Sequence, residues 1–176
     1  MSKILNLIIV RNEKYDQSLA RHMKELNLNF NNAVLDEDLE WFKNLTSLTL
    51  TFNSSISDNG LKNVPQLKKL YLCGNNFITD EGLKYLVNLE ELYLVGNINI
   101  TGKGIGYLPK LQKLSLICNK TIKDEDIKYF ENIEELTIWK NDTLSDNAVD
   151  KLKKLKILTE RDGTIKKFKK LGRKGQ

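Results

Sequence analysis

The stretch Leu86–Asn97, "LVNLEELYLVGN", decides the fold, because the chain contains it three times. A near-copy, "VPQLKKLYLCGN", runs from Val64 to Asn75, and another, "LPKLQKLSLICN", runs from Leu108 to Asn119. All three fit LxxLxLxxN. The first position of that pattern falls at Leu45, Leu67, Leu89, Leu111 and Ile133, with a degraded copy at Leu155, and every interval is 22 residues. One period earlier, Met23, Leu26, Leu28 and Asn31 keep the register. The second half of each unit also recurs: "VLDEDLEWF", "ISDNGLKNV", "ITDEGLKYL", "ITGKGIGYL", "IKDEDIKYF", "LSDNAVDKL". Seven copies in register at one fixed period are the mark of a solenoid, in which each unit packs only on its neighbours.

The two half-motifs join into "ITDxGLxxLxxLxxLxLxxN". Over Met23 to Gly163 the chain therefore resembles the leucine-rich repeat family. More narrowly, these repeats look like the arrays of F-box-type substrate receptors and of many proteins from protists, bacteria and amoeba-infecting giant viruses. The resemblance implies an α/β leucine-rich repeat solenoid that serves as a recognition scaffold, with a curved parallel sheet on the concave face and short helices on the convex face.

The residues give the same unit independently. Leu92 and Leu94 are two apart, so as a strand they face one way, into the core, while Tyr93 and Val95 face out. After Asn97 the chain turns, and Ile105 and Leu108 then stand at helical spacing. Ser57, Thr79, Thr101 and Ser145 occupy the N-cap position, where a side-chain oxygen accepts a free backbone N–H. The column Asn31, Asn53, Asn75, Asn97, Asn119, Asn141 falls where the backbone leaves the ladder. A buried amide has donors and an acceptor for the groups orphaned there, so the column is read as structural. In the last copy Gly163 replaces it and Glu160 takes a core leucine position, so the stack is expected to end there.

A 176-residue chain suits one domain: residues 1–163 as the repeat domain, with 1–22 as N-terminal cap and 23–163 as repeats, then 164–176 as a basic tail or capping helix. "ILNLIIV" reads as a capping strand, and "YDQSLARHMKEL" sets Tyr15, Leu19, Met23 and Leu26 on one helical face. Lys151 to Gln176 holds eleven Lys or Arg against Glu160 and Asp162, a net of +9 that leaves the rest of this +5 chain mildly acidic. With neither a long apolar run nor a cleavage site, a cytoplasmic location is expected, with the nucleus as the alternative. Cys73 and Cys118 lie two strands apart, roughly 9–10 Å, which is too far for a disulfide, so both are expected as free thiols.

Two outward strand columns define a candidate site. Across neighbouring strands Tyr71, Tyr93, Val95, Ile117 and Trp139 form an apolar, aromatic strip of the residue types that dominate binding hot spots. The column beside it, Lys69, Glu91, Lys113 and Glu135, alternates in sign and is expected to neutralise itself. A weaker anion-binding candidate is the tail, with Lys166, Lys167, Lys169, Lys170, Arg173 and Lys174. No catalytic set is legible: His22 is the only histidine, and there is no phosphate loop or metal-ligand spacing. The expectation is a monomeric, cofactor-free, non-enzymatic protein-recognition module with an unidentified protein partner. Its alternatives are nucleic-acid or anionic-membrane binding through the tail, and an adaptor role in ubiquitin-type turnover. Only 22 residues precede the first full unit, which leaves little room for a recruiting domain.

Overall fold

A computed structural model of the protein describes residues 7–8 and 17–168. Its strands are β1 (Leu7–Ile8), β2 (Glu25–Asn27), β3 (Ser47–Thr51), β4 (Lys69–Cys73), β5 (Glu91–Val95), β6 (Lys113–Ile117), β7 (Glu135–Thr137), β8 (Ile157–Thr159) and β9 (Ile165–Lys167). They form one open, curved sheet in strict chain order. β1 to β8 are parallel and β9 is antiparallel to β8. The register is the 22-residue period itself, with Leu48, Leu70, Leu92, Leu114 and Leu136 side by side. The inward leucines are fully buried against the apolar residues of the returning segments, such as Ile78, Leu83 and Leu86, in one continuous core.

On the convex side stand α1 (Gln17–Ala20), α2 (Asp58–Leu61), α3 (Asp80–Leu83), α4 (Gly102–Gly106) and α5 (Asp146–Val149), with two 3-10 turns at Glu37–Trp41 and Asp124–Tyr129. The hydroxyls of Ser57, Thr79, Thr101 and Ser145 accept N–H groups in the first turns of α2 to α5, as their spacing predicts. Where the cap is not Ser or Thr, at Asp36 and Lys123, the turn is 3-10. There a carboxylate reaches back instead: Asp38 accepts the Leu35 N–H and Asp126 the Lys123 N–H.

These caps also join one unit to the next. The N–H and hydroxyl of Ser57 both donate to Asp36, those of Thr79 to Asp58, of Thr101 to Asp80, and of Ser145 to Asp124. Gly60, Gly82 and Gly104 make the room, because a Cβ at any of them would run into the Asp carboxylate of the unit before. One junction is inverted. Gly102 stands in the Asp column, Lys123 in the Ser/Thr column, and Asp126, in the Gly column, lays its carboxylate against Gly102.

The asparagine column is buried throughout. Each Oδ1 accepts two N–H groups of the turn that follows it, as Asn75 does from Phe77 and Ile78. From Asn53 onward each Nδ2 donates to the main-chain carbonyl of the asparagine one unit back, at 2.9 Å for Asn75, 2.7 Å for Asn97 and 3.1 Å for Asn119. Asn53 makes the same bond to Asn31. Among the described residues no buried side-chain polar atom lacks a partner.

Two expectations need correction, and one outward strand position is buried. Leu19, Met23 and Leu26 do not share a helical face: α1 ends at Ala20, Leu19 is exposed, and Leu26 lies on β2. Four residues are too few for a helical stripe, and the first repeat claims Met23 and Leu26 for the core. Tyr15 lies outside the described residues. Ile165 to Lys167, read as the start of a tail or capping helix, form a strand, because β8 offers an unpaired edge that β9 covers. Ser115, on an outward column, is buried beside Tyr93. Among the described residues the parallel stack runs to β8 of the degraded copy, where Glu160 stays partly exposed and pairs with Lys166 at 2.6 Å.

Candidate binding surface

The strand ladder puts the candidate side chains where the period predicts them. Tyr71 and Tyr93 are in register, as are Cys73, Val95 and Ile117 along the next column. The Tyr71 and Tyr93 rings stack with centroids 4.2 Å apart and planes 8° from parallel. The Tyr93 hydroxyl donates to Glu91 at 2.9 Å, which holds the ring over its neighbour. Burial and that hydrogen bond push the Tyr93 phenol far above its usual range, so it stays protonated. Val95 and Ile117 are half-buried beside the stack.

Trp139 is placed differently. β7 ends at Thr137, and the Trp139 main chain stays in line only through its carbonyl, which accepts the Cys118 N–H. Its ring lies beside Gly163 and under the Lys140 ammonium, 4.4 Å from the centroid. It therefore extends the strip toward the last unit and is more exposed than the tyrosines.

The charge column resolves into two pairs, Lys69–Glu91 at 2.8 Å and Lys113–Glu135 at 2.9 Å. Burial alone would raise the Glu91 carboxyl; hydrogen bonds from Lys69 and Tyr93, with attraction to Lys69 and Lys113, outweigh it and hold the group below the usual carboxylate range. The hydrogen bond to Glu91 raises Lys69. Of the tail cations, Lys166 is taken up by Glu160, Lys167 lies on β9, and Lys169, Lys170, Arg173 and Lys174 lie outside the described residues. Cys73 and Cys118 are free thiols two strands apart. Among the described residues no group of three His, Cys, Asp or Glu is placed to hold a metal ion, and no helix is long and apolar enough to cross a membrane.

Two surface features were not anticipated. On the convex side Tyr85, Tyr107 and Tyr129 each carry a lysine ammonium over the ring, from Lys62, Lys84 and Lys128. At the strand-exit edge Phe30 and Phe52 stack at 5.4 Å. Both have positive φ, as do Gly74 and Gly96 in the same column. Two glycines in that column were the available signal that its backbone is left-handed.

An open parallel sheet grown one strand per unit, with an aromatic strip on its inner face, defines a repeat solenoid. Family models agree: "Leucine Rich repeats (2 copies)" matches residues 65–102 and "Leucine Rich repeat" matches residues 20–40 and 43–64. The chain is a leucine-rich repeat protein. Among solved structures it is similar to an internalin of Listeria monocytogenes, with a TM-score of 0.60, 21% identity, and coverage of 82% of this chain and 44% of that one. A leucine-rich repeat protein of Leptospira interrogans gives 0.57, 22%, 81% and 45%. The Toll–Spatzle complex of Drosophila gives 0.62, 17%, 77% and 20%. The chain thus spans less than half the length of each of these three. No curated protein matches it significantly.

Proposed function

We propose that the protein is a non-enzymatic recognition scaffold that binds a protein partner on its concave face through Tyr71, Tyr93, Val95, Ile117 and Trp139. Leucine-rich repeat folds are commonly protein-interaction scaffolds, and a fold of this kind was solved in the Toll–Spatzle complex. The carrying observation is the Tyr71–Tyr93 stack beside a charge column that is already paired. A pre-stacked pair gives up little rotamer freedom on binding, and the paired charges leave the aromatic faces as the surface with most to gain from cover.

The test is an affinity pull-down from a lysate with wild type against Tyr93→Ala and Trp139→Ala, followed by titration of the partner recovered. Either truncation weakens a partner at a hot spot by about 2 kcal/mol or more. Removal of residues 169–176 leaves binding intact, and rising salt changes it little, because contacts to an aromatic strip release few counterions. Binding abolished by the tail deletion and untouched by both truncations would move the function to the tail.

A further inference from the structure

The two edges of the solenoid differ in charge. The turns that enter the strands carry a charged residue in every unit, among them Lys43, Lys68, Glu90, Lys110, Glu134 and Lys156. The turns that leave the strands do not. Residues 30–35, 52–57, 74–79 and 96–101 contain no Lys, Arg, Asp or Glu. Instead they expose Phe30 (55%), Phe52 (56%), Phe77 (52%) and Ile98 (63%).

Two of these side chains stand where the backbone resists them. Phe30 has φ 56° and Phe52 φ 47°, a region that bulky side chains rarely occupy. The Phe52 ring lies over Gly74, which has no side chain to meet it. The same left-handed exit recurs at Gly74, Gly96, Cys118 and Lys140, so each unit turns off its strand at this column and the first two carry exposed aromatic rings there.

The same edge changes character in the next two units. Residues 118–123 and 140–145 carry Lys120, Lys123 and Lys140 against Asp142. None of the three lysines pairs with a carboxylate among the described residues, whereas Lys68, Lys69, Lys113 and Lys156 on the strands and entering turns do. One rim therefore carries a row of projecting apolar side chains and, beside it, lysines with no carboxylate partner among the described residues, Lys140 lying over the Trp139 ring.

We propose that this rim docks on an anionic membrane surface. Phe30, Phe52, Phe77 and Ile98 enter the interfacial layer, and Lys120, Lys123 and Lys140 meet the headgroups. Interfacial binding combines apolar area with attraction to anionic lipid, the two features this rim holds together. The four apolar side chains expose on the order of 400 Å², about half of what a standard protein interface takes from each partner. That is small for a second copy of the chain and sufficient for a fluid surface that demands no shape complementarity.

The experiment is co-sedimentation of the full chain with phosphatidylcholine vesicles, with and without phosphatidylserine. One variant combines Phe30→Asn, Phe52→Asn, Phe77→Ser and Ile98→Ser; asparagine accepts positive φ, so the fold is kept, and circular dichroism checks it. Wild type pellets with the phosphatidylserine vesicles, and the rim variant loses about tenfold or more in affinity. Lys120→Gln with Lys140→Gln loses about fivefold per lysine, only when phosphatidylserine is present. Removing residues 169–176 leaves the dependence on the rim in place. Binding that vanishes with the tail and ignores the rim overturns the proposal. So does a failure to bind vesicles, whether or not the protein forms a concentration-dependent dimer that the rim variant abolishes; such a dimer would assign the rim to a second copy.

Discussion

Replacing Asn97 by leucine tests the polar spine that joins the units. Asn97 is fully buried. Its Nδ2 donates to the Asn75 carbonyl at 2.7 Å, and its Oδ1 accepts the N–H groups of Asn99 at 3.1 Å and Ile100 at 3.0 Å. Leucine has nearly the same size but neither donor nor acceptor, so the change isolates the hydrogen bonds from any cavity. Asn99 is only partly buried and recovers water, while the Asn75 carbonyl and the Ile100 N–H stay buried and unpaired. At about 1–3 kcal/mol for each orphaned group the gross cost is about 2–6 kcal/mol. Apolar burial of the leucine offsets about 1–2 kcal/mol of it. The net, about 1–4 kcal/mol, is a sizeable share of the roughly 5–15 kcal/mol by which a domain is stable. In urea denaturation followed by circular dichroism, a slope of about 2 kcal/mol/M turns this into a midpoint shift of about 0.5–2 M. An unchanged slope with a shift below about 0.3 M would show that the backbone groups find other partners, and the account of the column would fail.

Leu94→Ala, at the fully buried centre of β5, costs about 2–5 kcal/mol, while Tyr93→Ala costs clearly less; denaturation ranking them the other way refutes the assignment of faces. Gly82→Ala drives a Cβ into Asp58 and costs about 1–3 kcal/mol, and a double-mutant cycle with Asp58→Ala reads the two as strongly coupled; additive losses would dismiss the packing between these columns. The folded Glu91 carboxyl lies below its unfolded value of about 4.3, so its contribution is present above that pH and lost as pH falls through the folded value. Glu91→Gln therefore destabilises at pH 7 and converges on wild type in strong acid, and a gap that widens toward low pH contradicts the sign. Without reductant the native protein titrates two thiols; a Cys73–Cys118 bridge found by mass spectrometry would contradict the strand register.

Most of the fold was legible because a solenoid repeats its reasons. The spacing of Leu92, Leu94 and Asn97 recurs in unit after unit, so local periodicity and long-range pairing carry the same information. The N-caps at Ser57, Thr79, Thr101 and Ser145 were legible for the same cause. At the junctions and the ends, what escaped was what does not repeat. The inverted junction at Gly102, Lys123 and Asp126 shows only when three columns are compared across units. The ends were harder still, since a single copy of β9 has no periodicity to betray it. At the candidate surface the ladder positions of Tyr71, Tyr93, Val95 and Ile117 followed from alternation. The setting of Trp139 did not, because β7 stops two residues before it. The rim of Phe30 and Phe52 is not marked by strand alternation, because these residues lie just past the strands.

The inverted junction also bears on how such a chain can be rearranged. Most neighbours meet through an Asp on one unit and a Ser or Thr with a Gly or Ala on the next, so those units are interchangeable in principle. The 22 residues from Leu89 to Lys110 are not. They offer Thr101 and Gly104 to the Asp80 before them and Gly102 to the Asp126 after them. Cutting this unit out would bring Asp80 against Lys123 and Asp126, two carboxylates where the fold has room for one. It works as a coupling piece, and it fixes the order of the units around it. Shortened or lengthened descendants of this chain are therefore expected to gain or lose copies on either side of residues 89–132, and to keep that pair of units together.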